Sequence, residues 1–285
     1  MNSGFQFQQF YVRHDKCAMK VGTDGVLLGA LATGGQNILD IGTGTGLCAL
    51  MMAQRFSDAN ITAIDIDNDA CEQAAENVAD SPFSERIKVL HTPLKDYAFN
   101  SDDHYDSIIS NPPYFEENIN CPDKSRNDAR HTSSLPFSEL ISCSKQLLTD
   151  DGTLTLILPT TALSRIESEC AYANMFIVKK IYIRTTEKKA SKRIVIYIRR
   201  HSAPIQTEIQ TLMVKAPPSR PPREGGEWSM VNGQGELGMR NKESGSQNSK
   251  FLILNSKFSL SARSPWYEDL TKNFYLSRTP SDAQP

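Results

Sequence analysis

The stretch Leu39-Asp40-Ile41-Gly42-Thr43-Gly44-Thr45-Gly46 constrains the fold of this chain more than any other. An apolar run of strand length stops at three glycines in alternate positions, and a helix-length segment, 47–56, follows at once. Alternate glycines accept dihedrals that a Cβ forbids and let a ligand approach bare backbone. A strand, a glycine turn and a helix make the opening unit of a doubly wound α/β sheet. The remaining chain agrees with that unit. Apolar runs at 37–41, 61–66, 87–91, 107–110, 153–158, 177–183 and 194–198 have strand length, whereas 25–31, 70–79, 137–148 and 163–174 have helix length. Leu154-Thr155-Leu156-Ile157-Leu158 is almost continuously apolar, which suits a strand covered on both faces. The expected architecture is a Rossmann-like α/β fold with a mainly parallel sheet and right-handed crossovers. It should end in an antiparallel strand, because 177–183 and 194–198 are joined by a short polar segment.

The 285 residues suit one large domain or two small ones. Residues 1–215 read as the principal domain, with an N-terminal motif at 5–32. Pro, Gly, Ser and Asn dominate 216–262, which reads as a loose insertion, although 251–260 has a strand-like apolar core. Residues 263–285 read as a helix that docks back on the main domain, followed by a frayed tail. No apolar run reaches the roughly 18 residues of a membrane span, and the N-terminus has no charged region leading into an apolar one. A cytoplasmic protein with reduced thiols is therefore expected. None of the six cysteines forms a Cys-x-x-Cys pair, so no metal is expected. Oligomeric state is not encoded in any pattern we recognise.

Net charge is −2, but its distribution is uneven. Nine cations against Glu187 alone occupy 179–200, so the remaining chain is strongly acidic. A basic segment on an acidic body suits local docking of phosphates. A solvated strand-turn-strand with lysines guarding an edge would look the same.

Three features carry chemistry. The glycine spacing differs from the dinucleotide fingerprint Gly-x-Gly-x-x-Gly. With Asp40 before it, it suits S-adenosylmethionine: a carboxylate for the cationic amino-acid end and backbone for the rest. A ligand-free turn is the plain alternative. Asp65, about 20 residues past the turn, ends the next strand and could accept from ribose hydroxyls, with Ile66 beside it. Asp67 competes for that role or caps the helix beginning near Asn68. Asn111-Pro112-Pro113-Tyr114 follows the fourth strand and so lies on the same carboxyl edge. It could be an ordinary turn. It could also grip an amino group, since the Asn side-chain oxygen and the proline carbonyls are acceptors on residues short of N–H groups.

From about Phe5 to Ile198, and again in the last helix, the chain resembles class I S-adenosylmethionine-dependent methyltransferases that act on planar amino nitrogens. Asn-Pro-Pro-Tyr is their hallmark. The N-terminal stretch Phe10-Tyr11-Val12-Arg13-His14-Asp15-Lys16-Cys17-Ala18-Met19-Lys20-Val21-Gly22-Thr23-Asp24-Gly25 narrows the likeness. It is similar to the opening of the bacterial tRNA(Val) (adenine-N6)-methyltransferases, which modify the adenosine 3′ of the anticodon. The resemblance implies S-adenosylmethionine as cofactor and a tRNA as partner. It implies that Asp40, Gly42, Gly44 and Gly46 cradle the methionine portion and that Asp65 and Ile66 meet the adenosine portion. Lys20, Thr23 and Asp24 would close over the cofactor, although Thr23 or Asp24 could equally cap the helix at 25–31. Asn111 and Pro112 would accept the two N6 hydrogens, with Pro113 shaping the turn and Tyr114 stacking on the base. Independently of the resemblance, the charge of 179–200 points to Lys188, Lys189, Lys192 and Arg193 for contact with the RNA. The chain departs from the usual pattern where an acid follows the third strand, because His91-Thr92-Pro93-Leu94-Lys95 delays it to Asp96. Methylation of a protein glutamine at N5, or of a base in rRNA or DNA, are the competing activities.

Overall fold

The computed structural model describes residues 4–17, 20–113, 135–213, 230–231, 237–238 and 263–275. An eight-stranded sheet forms its middle layer. Five strands run parallel: β3 (Asn37–Ile41), β4 (Asn60–Asp65), β5 (Ile87–His91), β6 (Tyr105–Ser110) and β7 (Leu148–Pro159). They are joined by β8 (Phe176–Arg184), β9 (Arg193–Arg199) and β10 (Gln206–Thr211), in the order β10-β8-β9-β7-β6-β3-β4-β5. Strand β9 is antiparallel to both of its neighbours, β7 and β8. The antiparallel strand expected at the end of the sheet therefore lies inside it, and β10, which pairs parallel with β8, forms the edge.

Successive residues of the strands face two separate cores. Ile38, Ile61, Ile109, Ile157 and Val195 pack on one side, with α1 (Thr23–Leu31), α2 (Leu47–Arg55) and α3 (Asn68–Ala79). Leu39, Ile64, Ile108, Leu156 and Ile196 pack on the other, with α4 (Leu94–Asn100), α5 (Phe137–Leu147) and α6 (Leu163–Ala173). Apolar residues at consecutive positions are what burial on both faces requires.

The first core is closed by the two ends of the chain. A hairpin of β1 (Gly4–Gln6) and β2 (Tyr11–Arg13) lies beside α7 (Pro265–Thr271). The Gln8 amide donates to the Phe274 carbonyl at 2.8 Å, and its side chain donates to the Lys272 carbonyl at 2.7 Å. Phe7 stacks on Tyr275 at 6.0 Å between centroids, and the Arg263 guanidinium sits 4.6 Å from the same ring. Ser264 caps α7 by accepting the Tyr267 amide, and Pro265 opens the helix without an N–H to satisfy. This packing fixes the base of residues 14–17, which follow the hairpin.

Candidate active site

The glycine turn leaves β3 at the carboxyl edge, and its backbone takes dihedrals that glycine alone adopts readily. Gly42, Gly44 and Gly46 have φ of 69°, 56° and 79°, a region costly for any residue with a Cβ. A Cβ on Gly42 or Gly44 would meet no atom within 4 Å, so both present their bare faces to open space. Two backbone bonds, from Gly42 and Thr43 to the Ile64 carbonyl, fasten the turn to β4.

Asp40 lies beneath this turn, 2 % exposed. Its Oδ2 accepts the Thr43 hydroxyl at 2.6 Å and the Ala49 amide at 3.2 Å, tying the strand to the first turn of α2. Burial pushes its pKa up to about 7 despite those two bonds, and the nearby Asp65 charge adds to the rise. A cation arriving above it would reverse that effect. Asp65 ends β4 and accepts the Gly44 amide at 2.8 Å and the Asp67 amide at 3.0 Å, one on each oxygen. Each oxygen keeps a lone pair for a further donor. Asp67 takes the capping role, accepting the Asp69 amide at 2.9 Å at the start of α3. Ile66 projects its side chain into solvent, 52 % exposed, while its carbonyl meets His91 Nε2 at 2.9 Å. Asp96 is exposed in the first turn of α4.

Lys20, Thr23 and Asp24 line one cavity of about 340 Å³. Asp40, Gly42, Gly44, Asn111 and Arg193 border the same cavity. Neither Thr23 nor Asp24 caps α1: the helix starts at Thr23, and Gly22 at its N-cap offers no side chain. The Asp24 carboxylate instead accepts Arg193 Nε. Asn111 follows β6, which is locked to β3 by the Ser110 hydroxyl donating to the Ile41 carbonyl at 2.8 Å. Pro112 is buried behind it, with Pro113 half-buried. Tyr114, and the insertion including 251–260, lie outside the described residues.

The basic segment divides in two. Lys179 pairs with Glu208 at 2.7 Å and Lys180 with Glu167 at 2.6 Å. Arg184 and Arg199 donate to Thr211 and Thr153, and Arg200 to the Leu148 carbonyl. Lys188, Lys189 and Lys192 stand exposed on the turn between β8 and β9, with no ion pair among the described residues. That turn is on the carboxyl edge, because Arg193 lies opposite Pro159 at the end of β7.

Sequence reasoning missed Gln73 and Asn77, both buried on α3. Asn77 accepts the Arg13 amide and donates to the carbonyls of Arg13 and Thr45, each at 2.9 Å, and Gln73 accepts the Lys16 amide at 3.0 Å. These two amides hold residues 13–16 beside the glycine turn. The available signal was two polar residues four apart on the apolar face of a helix. Among the described residues no cluster of His, Cys, Asp or Glu could hold a metal ion, and no helix is long and apolar enough to cross a membrane.

The arrangement fits S-adenosylmethionine. The cavity offers bare glycine backbone and a buried carboxylate at Asp40, and Asp65 has acceptor capacity beyond the two amides it already holds.

Comparison with known proteins supports S-adenosylmethionine as the cofactor. A family model for the methyltransferase small domain matches residues 18–165. A tRNA1(Val) (adenine(37)-N6)-methyltransferase of Bacteroides thetaiotaomicron is 48 % identical over 199 residues, 68 % of this chain and 83 % of that one. One of the same name from Parabacteroides distasonis is 57 % identical over 160 residues, 55 % of this chain and 67 % of that one. Among solved structures, one described as a predicted O-methyltransferase from Agrobacterium tumefaciens aligns with a TM-score of 0.57 at 18 % identity. It covers 90 % of this chain and 99 % of the other, and shows a shared fold.

Proposed function

Because this chain belongs to the family of the tRNA1(Val) (adenine(37)-N6)-methyltransferases, with its methyltransferase small domain, we propose that it methylates N6 of adenosine 37 in tRNA(Val). The observation that carries this reading is the single cavity shared by the glycine turn and Asn111. It supports a reading in which a methyl donor and an amine meet in one place.

S-adenosylmethionine, when bound, supplies an electrophilic methyl on a sulfonium. Adenine N6 is a poor nucleophile because its lone pair is delocalised into the ring. The Asn111 side-chain oxygen and the Pro112 carbonyl would accept its two hydrogens and favour a more tetrahedral nitrogen with the lone pair aimed at the methyl carbon. Transfer would leave the C–S electron pair on sulfur, while Asn111 and Pro112 hold the nitrogen that takes the methyl. The positive charge growing on N6 faces two oxygen acceptors, and the product cation then loses one proton to water. Alignment of the two reactants supplies much of the remaining acceleration. Tyr114 would stack on an adenine taken out of its strand.

Lys188, Lys189 and Lys192 would track the RNA backbone from the same edge of the sheet. Residues 1–215 together with those from 263 act as one methyltransferase domain, with 216–262 inserted in it. The tRNA substrate is met in the cytoplasm, where the cysteines stay reduced.

The test is incubation of the purified protein with S-adenosylmethionine and a tRNA(Val) transcript, followed by mass spectrometry of the nucleosides. N6-methyladenosine should form, and should vanish when adenosine 37 is replaced by guanosine. No product would sink the reading, and equal modification of every tRNA with adenosine at that position would remove its valine part.

A further inference from the structure

Arg193 does not share the situation of its basic neighbours. Lys188, Lys189 and Lys192 are exposed on the turn, whereas Arg193 borders the cavity of Asn111 and the glycine turn. Among the described residues the only hydrogen bond of its guanidinium comes from Nε, to Asp24. The two terminal nitrogens, four N–H donors in one plane, carry no protein partner there. Such a fork matches an oxyanion with two adjacent oxygens. Asp24 holds the stem of the fork and leaves its open edge for a ligand.

Two oxyanions would come within reach when the site is loaded: the carboxylate of the cofactor and a phosphate of the RNA. Three observations favour the phosphate. Arg193 starts β9, and β6 and β7 separate that strand from the glycine turn on β3, so its backbone lies about 14 Å away at about 4.8 Å per strand. It continues directly from Lys192, at the inner end of the exposed basic turn. Lys20 borders the same cavity and offers the cofactor carboxylate a cation of its own. Resting on the tRNA-methyltransferase reading, we infer that Arg193 binds a phosphate flanking the target adenosine and so fixes that nucleotide over Asn111. It is the point where recognition of RNA backbone passes into recognition of the base.

The test uses an RNA stem-loop carrying the target adenosine, with each flanking phosphate replaced in turn by a neutral methylphosphonate. One replacement should weaken binding to the wild-type protein roughly 10- to 100-fold, the loss of a charge-assisted pair of hydrogen bonds. Arg193→Gln should weaken binding of the unmodified RNA by a similar factor and show no further loss with that methylphosphonate. Arg193→Lys should recover part of the affinity. Binding of S-adenosylhomocysteine to Arg193→Gln, measured by calorimetry, should stay within about 2-fold of wild type, which also reports that the variant is folded. Independent, multiplying losses from the variant and the methylphosphonate would overturn the inference. So would a loss of S-adenosylhomocysteine affinity with RNA binding intact, which would assign the fork to the cofactor carboxylate. The methylphosphonate measurement on the wild type needs no variant, and insensitivity to both replacements would overturn the inference outright. Failure of the wild type to bind the stem-loop at all would instead overturn the tRNA reading beneath it.

Discussion

Asp65 accepts the amide hydrogen of Gly44 at 2.8 Å, so the carboxylate that ends β4 shapes the glycine turn that ends β3. One side chain thus links the end of β4 to the turn that ends β3. Replacing Asp65 with Ala removes the turn's anchor and the ribose acceptor together. Affinity for S-adenosylhomocysteine should fall roughly 10- to 100-fold, by the loss of charged hydrogen bonds. Calorimetry measures it. A change below 2-fold would mean that Asp65 only shapes the turn.

Asp40 is expected to make cofactor binding depend on pH. Its folded pKa, about 7, lies above the ordinary aspartate value of 3.8. Between those values the unfolded chain has released the proton and the folded protein still holds it. The contribution of Asp40 to stability therefore falls as pH rises from about 4 to about 7, then levels off. A cationic ligand above the carboxylate lowers its pKa and expels the proton. Calorimetry near pH 6.5 in two buffers of different ionisation heat should show net proton release when S-adenosylmethionine binds. Asp40→Asn should abolish that release. The same proton count in wild type and variant would place the effect elsewhere.

Asn111 is expected to act on the amine rather than on the cofactor. Asn111→Ala should bind S-adenosylhomocysteine nearly as well as wild type while kcat falls on the order of 10²-fold or more. Single-turnover rates and calorimetry separate the two effects. Parallel losses of both would make the segment after β6 a structural turn.

The three lysines of the β8–β9 turn are expected to meet RNA phosphates. Converting Lys188, Lys189 and Lys192 to Ala together should flatten the slope of log affinity against log salt by about 2 to 3, close to 1 for each phosphate no longer neutralised. An unchanged slope would leave them as solvated guards of the turn.

The features read correctly from sequence are those set by local physics. Positive φ at Gly42, Gly44 and Gly46 follows from glycines at alternate positions after a strand, and the two-sided sheet follows from runs such as 154–158. The hairpin at 4–13 and β10 escaped notice. Gln206-Thr207-Glu208-Ile209-Gln210-Thr211 has one aliphatic residue, and it forms a strand only because β8 offers its edge. The same limit applied to charge. Sequence grouped nine cations in 179–200 into one basic surface, whereas pairing with Glu208, Glu167, Thr211, Thr153 and Asp24 occupies most of them.

By itself, the sequence determined the sheet, the glycine turn, the carboxylate at the end of β4 and the acceptor-rich Asn111-Pro112, because dihedral preference and apolar period act over a few residues. Only the tertiary structure decided which of these share a cavity, that Asn77 fastens the N-terminal segment to Thr45, and that Arg193 borders the cavity beside Asp24. Asp24 and Arg193 are 169 residues apart, and an ion pair at that separation depends on how every intervening element packs, which no local pattern records.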